Sequence, residues 1–465
     1  MGPARTPDYE AAVRSARESF TALPPGAPVR LAKRTSNLFR TRPDTDAPRL
    51  DLSACQGVFA VDAEAGLARV GGLTTYERLV DELLPHGLMP LVVPQLRTIT
   101  IGGAVVGLGI ESTSFRNGLP HESVVEMDVL TGDGEVVTAT ATNEHADLFR
   151  AMANSYGSLG YTLGLVIELE RTSPWVVLEH HRFEELDALT TVVGEVMATR
   201  EHAGTRVDFV DGVVFSEGES YLTLARWSDS AEGMVPGDYT GTEPFYRSLQ
   251  HRRRDLLTAK DYLWRWDTDW FWCSRAFGAQ RPLVRRLWPR RLLRSDVYWR
   301  IMAFEQRHGW YAALQRRRGR PPQERVIQDV EIPLDRTADF LRWFLREVPI
   351  EPVWLCPVRL RATEPAPGAA TPWPLYPMGV GEDYVNVGFW SAVDIPPGGR
   401  YGDTNRAIEE QVTALGGHKG LYSEAFYDEA TFRRLYGGEH LDPVKARYDP
   451  GGRLPTLYDK AVRAR

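Results

Sequence analysis

Between Pro94 and Gly118 the chain reads Pro-Gln-Leu-Arg-Thr-Ile-Thr-Ile-Gly-Gly-Ala-Val-Val-Gly-Leu-Gly-Ile-Glu-Ser-Thr-Ser-Phe-Arg-Asn-Gly, and this stretch constrains the fold most. Glycines at 102, 103, 107, 109 and 118 bare main-chain amides and let a ligand approach the backbone closely. Hydroxyls at Thr100, Ser112, Thr113 and Ser114 add donors, which is the chemistry a pyrophosphate needs. Gly107-Leu108-Gly109 opens a dinucleotide fingerprint, but Ser112 stands where the third glycine belongs and no long helix follows. A Rossmann unit is therefore rejected, and no GxxxxGK[ST] loop occurs. A second cluster, Gly157, Gly160 and Gly164, precedes a strand and can close the other side of one ligand. The competing reading is a pair of glycine turns that only pack tightly.

The 465 residues exceed what one core organises, so two or three domains are expected. With 43 % apolar and 25 % charged residues the chain is globular, and a net charge of −7 argues against nucleic-acid binding. Cys55, Cys273 and Cys356 lie too far apart for a disulfide framework or a cysteine-rich zinc site, so no metal is expected. No signal-peptide layout and no membrane-spanning apolar run occurs, which predicts a cytoplasmic protein. Fifty arginines against five lysines point to a GC-rich genome.

Residues 9–22 and 74–86 read as helices, 67–70 and 163–169 as strands, and 124–140 as a hairpin turning at Thr131-Gly132-Asp133-Gly134. Helices are expected near 184–200, 244–259, 335–348 and 403–415, with strands at 221–225 and 353–356. The expected fold is α+β. It divides into a ligand-binding domain over 1–170, a cap domain over 171–395, and a C-terminal segment over 396–465 that packs back toward the first.

In order, Thr100-Ile-Gly-Gly, Gly107-x-Gly109, Ser114-x-x-x-Gly118, the Gly132-Asp-Gly turn, Asp147-Leu-Phe and Gly157-x-x-Gly160 resemble the FAD-binding domain of the vanillyl-alcohol-oxidase/para-cresol-methylhydroxylase (PCMH-type) superfamily. Val326-Ile-Gln-Asp329, Trp354-Leu-Cys-Pro357 and the tail from Gly417 to Lys460 are similar to its diminuto/24-dehydrocholesterol reductase branch. The resemblance implies a two-subdomain FAD-binding domain with an α+β substrate cap. It implies FAD contacts at Thr100, Ile101, Gly102, Gly103, Gly107, Gly109, Ile110, Glu111, Ser112, Ser114, Gly118, Gly160 and Thr162. The earlier phosphate loop of the superfamily falls on Lys33-Arg34-Thr35-Ser36-Asn37. With neither glycine nor histidine there, FAD is expected to be non-covalent, with Lys33 or Arg34 supplying charge; a solvated basic loop is the alternative.

The branch implies hydride from NADPH, carried by flavin to an isolated carbon–carbon double bond. Such an alkene offers no carbonyl to polarise, so a positioned acid must deliver a proton. Asp329, Tyr422 and His418 are the candidates; Asp329 and Glu331 share one face of a strand. Arg265, Trp272 and Tyr384 are expected to line the substrate pocket. Residues 251–300 carry 13 Lys+Arg, 5 Asp and 6 Trp. They read as a peripheral contact with an anionic membrane surface, or as a buried aromatic core with a basic rim. Sterol reducers of the branch carry an N-terminal anchor, a pattern missing from the opening residues. The resemblance extends to bacterial reductases of a methylene-branched fatty acyl chain, which act beside a methyltransferase that makes the methylene, and it implies that chain as preferred substrate and a methyltransferase as partner. The alternatives are a Δ24-sterol, or an oxygen-using oxidase of an alcohol or sugar lactone.

Overall fold

The computed structural model describes residues 2–33, 39–40, 48–241, 243–308, 319, 321–366 and 368–463. The loop from Arg34 to Asn37 lies outside them, so the expectation for Arg34 has no structural counterpart.

The first half begins with helix α1 (Pro7–Thr21), capped by Thr6 and burying Tyr9, Val13 and Phe20. A six-stranded antiparallel sheet follows: β1 (Val58–Asp62), β2 (Leu67–Gly71), β3 (Leu88–Pro90), β4 (Val124–Leu130), β5 (Val136–Ala139) and β6 (Tyr161–Arg171). Its order is β1-β2-β6-β4-β5, with β3 on the far end of β6. Three helices of five residues or more punctuate it: α2 (Tyr76–Leu83), α3 (Ile101–Val105) and α4 (Ala146–Met152). Gly87, left-handed at φ 67°, ends the helical run after α2.

The second half is an eight-stranded antiparallel sheet. It comprises β7 (Trp175–Phe183), β8 (Phe209–Ser216), β9 (Glu219–Ser228), β10 (Arg254–Thr258), β11 (Gln323–Pro333), β12 (Val353–Arg359), β13 (Asp383–Asp394) and β14 (His418–Lys419). The order is β10-β7-β9-β8-β12-β13-β11-β14. Helices α5 (Leu186–Thr199), α6 (Pro282–Leu287), α7 (Ser295–His308), α8 (Leu334–Glu347), α9 (Asp403–Ala414) and α10 (Gly438–Tyr448) complete the chain. The α+β class is as expected, and the sheets change over between Arg171 and Trp175. The helix expected at 244–259 is instead one helical turn, Phe245–Ser248, followed by strand β10. Arg252–Arg254 interrupts its apolar pattern, and pairing with β7 takes Leu256 and Leu257.

Alternation positions the site. On β11 and β13, Val326, Val330, Val385, Val387 and Phe389 bury against α5, α8 and α9. The opposite face of the same strands presents Asp329, Asn386, Gly388 and Trp390 to the first half. Four tryptophans of the arginine-rich window (Trp264, Trp266, Trp270 and Trp272) are buried, so they form core rather than a surface belt.

Candidate active site

A cavity of about 1200 Å³ opens between the two sheets. The first half supplies one wall. Thr100 caps α3: its Oγ1 accepts from Gly103 N at 3.2 Å and from Lys33 Nζ at 3.0 Å. Gly102 donates its N–H to Gly72 O at 2.9 Å, and any side chain there would collide with Thr162 Oγ1 and Gly72 O. α3 thus lies directly on the ends of β2 and β6. Gly160, at φ 154°, has no room for a Cβ beside Val129 and Leu130 O. Thr100, Gly102, Gly103, Gly109, Ile110, Gly160, Thr162 and Lys33, all expected at the cofactor, line this cavity. The main-chain amides are less bare than the glycine count suggests: those of Ile101, Gly102 and Gly103 bond to Thr74 O, Gly72 O and Thr100 Oγ1.

Positive charge comes from side chains instead. Arg30, Lys33, Arg40, Arg49 and Lys460 line the cavity, against Asp329 and Asp459. Arg40 lies 4.9 Å over the Tyr156 ring and donates to Leu421 O at 3.0 Å. Lys460 donates to Tyr156 O and Gly157 O, both at 2.8 Å. Sequence reasoning passed over Arg40, Arg49 and Lys460 as site residues. For Lys460 the signal was present, because it ends the matched tail and is one of five lysines.

The second sheet supplies the other wall. Asp329 on β11 pairs across the ladder with Gly388 on β13, which in turn faces Trp354 on β12. A Cβ on Gly388 would sit 2.5 Å from Asp329 Oδ1 and 3.2 Å from Trp354 Cε3. This glycine makes room for both. Asn386 Nδ2 donates to Asp329 Oδ1 at 2.9 Å. Trp390 Nε1 donates to the Tyr422 hydroxyl at 2.9 Å, and Tyr422 lines the same cavity as Asp329 and lowers its carboxyl. Burial pushes the Asp329 carboxyl up to about 6, against the hydrogen bond from Asn386 and the lowering effect of the nearby Tyr422 phenol. The Tyr422 phenol is raised well above its ordinary value by burial and by Asp329. Behind them, Tyr376 donates to Glu331 Oε1 at 3.0 Å, and burial holds Glu331 in its acid form far above the usual carboxylate range.

Other expected residues stand elsewhere. His418, 3.3 Å from Glu331 Oε2, does not line the cavity, and burial pushes it down to about 3, so it stays neutral and lacks the labile proton of an imidazolium. Arg265 is locked in a buried triad with Glu111 Oε1 (2.8 Å) and Asp211 Oδ2 (2.7 Å), not in the cavity wall. Trp272 stands behind the wall, its Nε1 donating to Trp390 O at 3.4 Å. Tyr384 donates to Glu382 Oε2 at 2.7 Å, again outside the wall. On the glycine stretch, Ile101 points into the core and Gly107 packs on Tyr156. Ser112 accepts from Tyr262, Ser114 accepts from Glu111 N, and Gly118 gives way to Glu122. None of these, nor Glu111, lines the cavity. Among the described residues no cluster could hold a metal, and the three cysteines are free.

The lining fits FAD. A five-to-two excess of basic over acidic side chains suits a diphosphate, and the glycine faces suit close approach by a long, flat group. Two buried polar atoms on residues of this lining, Trp354 Nε1 and Asn386 Oδ1, have no hydrogen-bond partner among the described residues. Comparison with known proteins agrees. The FAD binding domain family matches residues 2–140. The chain is 25 % identical to the Delta(24)-sterol reductase of Arabidopsis thaliana over 90 % of its own length and 77 % of the relative's. It is 24 % identical to the Delta(24)-sterol reductase of Homo sapiens over 88 % and 76 %. A shorter match, 34 % identical over 29 % and 25 %, is to Cytokinin dehydrogenase 5 of Oryza sativa subsp. japonica. The protein is an FAD-dependent oxidoreductase with a PCMH-type FAD-binding domain. Within that superfamily it is similar along most of its length to the diminuto/24-dehydrocholesterol reductase-like branch.

Proposed function

We propose that this flavoenzyme reduces an isolated carbon–carbon double bond of a lipid, preferring a methylene-branched fatty acyl chain and yielding the methyl-branched one. The observation that carries this reading is a single buried acid pair, Asp329 and Tyr422, set in a largely aromatic wall opposite the glycine wall. Thr100, Lys33, Arg40 and Lys460 would hold the diphosphate and ribityl portions of FAD. When bound, FAD supplies the carrier between NADPH, the proposed hydride donor, and the alkene.

The residues of the chain do the rest. Trp390 Nε1 donates to the Tyr422 oxygen, which leaves the phenolic proton free to be given up to a neighbour or to substrate. Asn386 orients the carboxyl from its other side. Burial favours the protonated acid, so a proton is held at Asp329 and Tyr422 for delivery to the less substituted alkene carbon. Positive charge building on the more substituted carbon faces the rings of Trp354 and Trp390. The apolar part of the lining excludes the water that would otherwise capture that cation.

A second reading, a Δ24-sterol as substrate, is favoured by the names of the full-length relatives. The test is anaerobic bleaching of the bound flavin by NADPH, followed by mass analysis of products from a methylene-fatty acyl lipid and from a Δ24-sterol. Bleaching with a two-hydrogen mass gain on the fatty acyl lipid is the expected result. Gain on the sterol alone selects the second reading. Rapid reoxidation by air with peroxide release, and no bleaching by NADPH, overturns both in favour of an oxidase.

A further inference from the structure

Helix α6 is built against the usual pattern. Its buried side chain is an arginine: Arg285, 2 % exposed, donates Nε to Gly241 O at 2.7 Å and Nη2 to Tyr239 O at 2.8 Å. Its leucines point outward, Leu283 at 78 % and Leu287 at 85 % exposure. Val284 and Leu292 add to the same exposed segment, which holds four of the seven exposed large apolar side chains among the described residues. Arg281, Arg286, Arg290 and Arg291 fringe it. No acidic residue occurs between 281 and 292, and among the described residues the one ion pair of this stretch is a loose contact of Arg290 with Asp238 at 3.9 Å.

A file of packed aromatic rings links this segment to the cavity wall. Trp288 packs on Tyr298 with ring centroids 5.9 Å apart, and Tyr298 stacks on Trp270 at 6.4 Å. Trp270 meets Phe39 at 6.5 Å, and Phe39 meets Trp390 at 4.8 Å. Phe39 and Trp390 both line the cavity. An unbroken file of rings therefore runs from beneath the exposed leucines to the acid pair.

We propose that residues 281–292 seat the protein on a bilayer bearing anionic phospholipid. Leu283, Val284, Leu287 and Leu292 enter the acyl boundary, the four arginines meet headgroup phosphates, and the ring file leads an acyl chain inward. Apolar side chains held outward inside a purely basic fringe match the composition of an interfacial segment. A second copy of the chain fits poorly, because a two-fold contact would set arginine fringe against arginine fringe. The route inward rests on the lipid-reduction reading above; the docking itself does not.

The experiment is co-sedimentation of the full-length, FAD-loaded protein with vesicles of phosphatidylglycerol and phosphatidylcholine, or of phosphatidylcholine alone, reading flavin absorbance in the pellet. The protein is expected in the pellet with phosphatidylglycerol, less so as salt rises. L283S/L287S should weaken binding by about tenfold or more at unchanged flavin content and unfolding temperature. R286E/R290E/R291E should abolish the preference for phosphatidylglycerol. Wild-type protein remaining in the supernatant, or L283S/L287S sedimenting like wild type, overturns the proposal. So does a dimer, seen by light scattering without vesicles, that L283S/L287S dissolves. Because the readout is binding, a protein that sediments yet reduces no lipid would refute the functional reading and leave the docking intact.

Discussion

At the scale of single residues the site turns on Asp329. Its carboxyl rises from an ordinary 3.8 to about 6 because burial disfavours the anion. The folded protein therefore binds this proton more tightly than the unfolded chain does. The resulting stability is complete below about pH 4 and is lost as pH rises through about 6, amounting to ~3 kcal/mol. Asp329→Asn should flatten that part of the stability–pH curve, as read by denaturant unfolding at pH 5 and 8. Turnover should fall in wild type as pH rises above about 6, because the proton is then absent. Both Asp329→Asn and Tyr422→Phe should keep FAD and NADPH bleaching while lowering product formation by about 100-fold or more. Normal turnover in both variants would remove the acid pair from the mechanism. Gly388→Ala is a gentler probe: the added methyl displaces Asp329 or Trp354, so kcat should drop with the flavin spectrum changed little.

At the scale of elements, α3 and its cap carry the cofactor wall. Gly102→Ala would force α3 away from β2 and β6, because Thr162 and Gly72 occupy the space. The expected outcome is loss of FAD on gel filtration, while Lys460→Ala weakens flavin retention by about tenfold without loss of fold. The glycine stretch and the alternation on β11 were legible in the sequence, since spacing alone puts Asp329 and Glu331 on one face. The partners of Asp329 were not. Asn386 and Trp390 lie 57 and 61 positions downstream, on a strand whose register with β11 only tertiary pairing fixes. His418, Arg265 and Tyr384 carry suitable chemical groups, but their side chains are engaged by partners outside the cavity wall, which residue type cannot reveal.

At the scale of the whole molecule, Arg265 of the second half binds Glu111 of the first and Asp211 of its own sheet. All three are buried, and burial raises Glu111 while Arg265 restrains it. Removing the cation leaves two uncompensated carboxylates. Arg265→Met should cost about 3–5 kcal/mol in chemical denaturation, far more than loss of an exposed pair. Bound FAD should oppose any such loss by mass action, adding about 2.7 kcal/mol at a hundredfold excess over its Kd.

The passage from β6 to β7 takes only Thr172, Ser173 and Pro174, and it is pinned at both ends: Thr172 N donates to Gly87 O at 2.9 Å, and Ala259 N donates to Pro174 O at 3.0 Å. A joint this short, bonded at both ends, restricts how far the halves can swing about it. A bulky guest cannot be admitted by a yawning, clam-like gape. The gap between the two sheets then stays near its present width, and that width joins the acid behind it in limiting which guests are accepted.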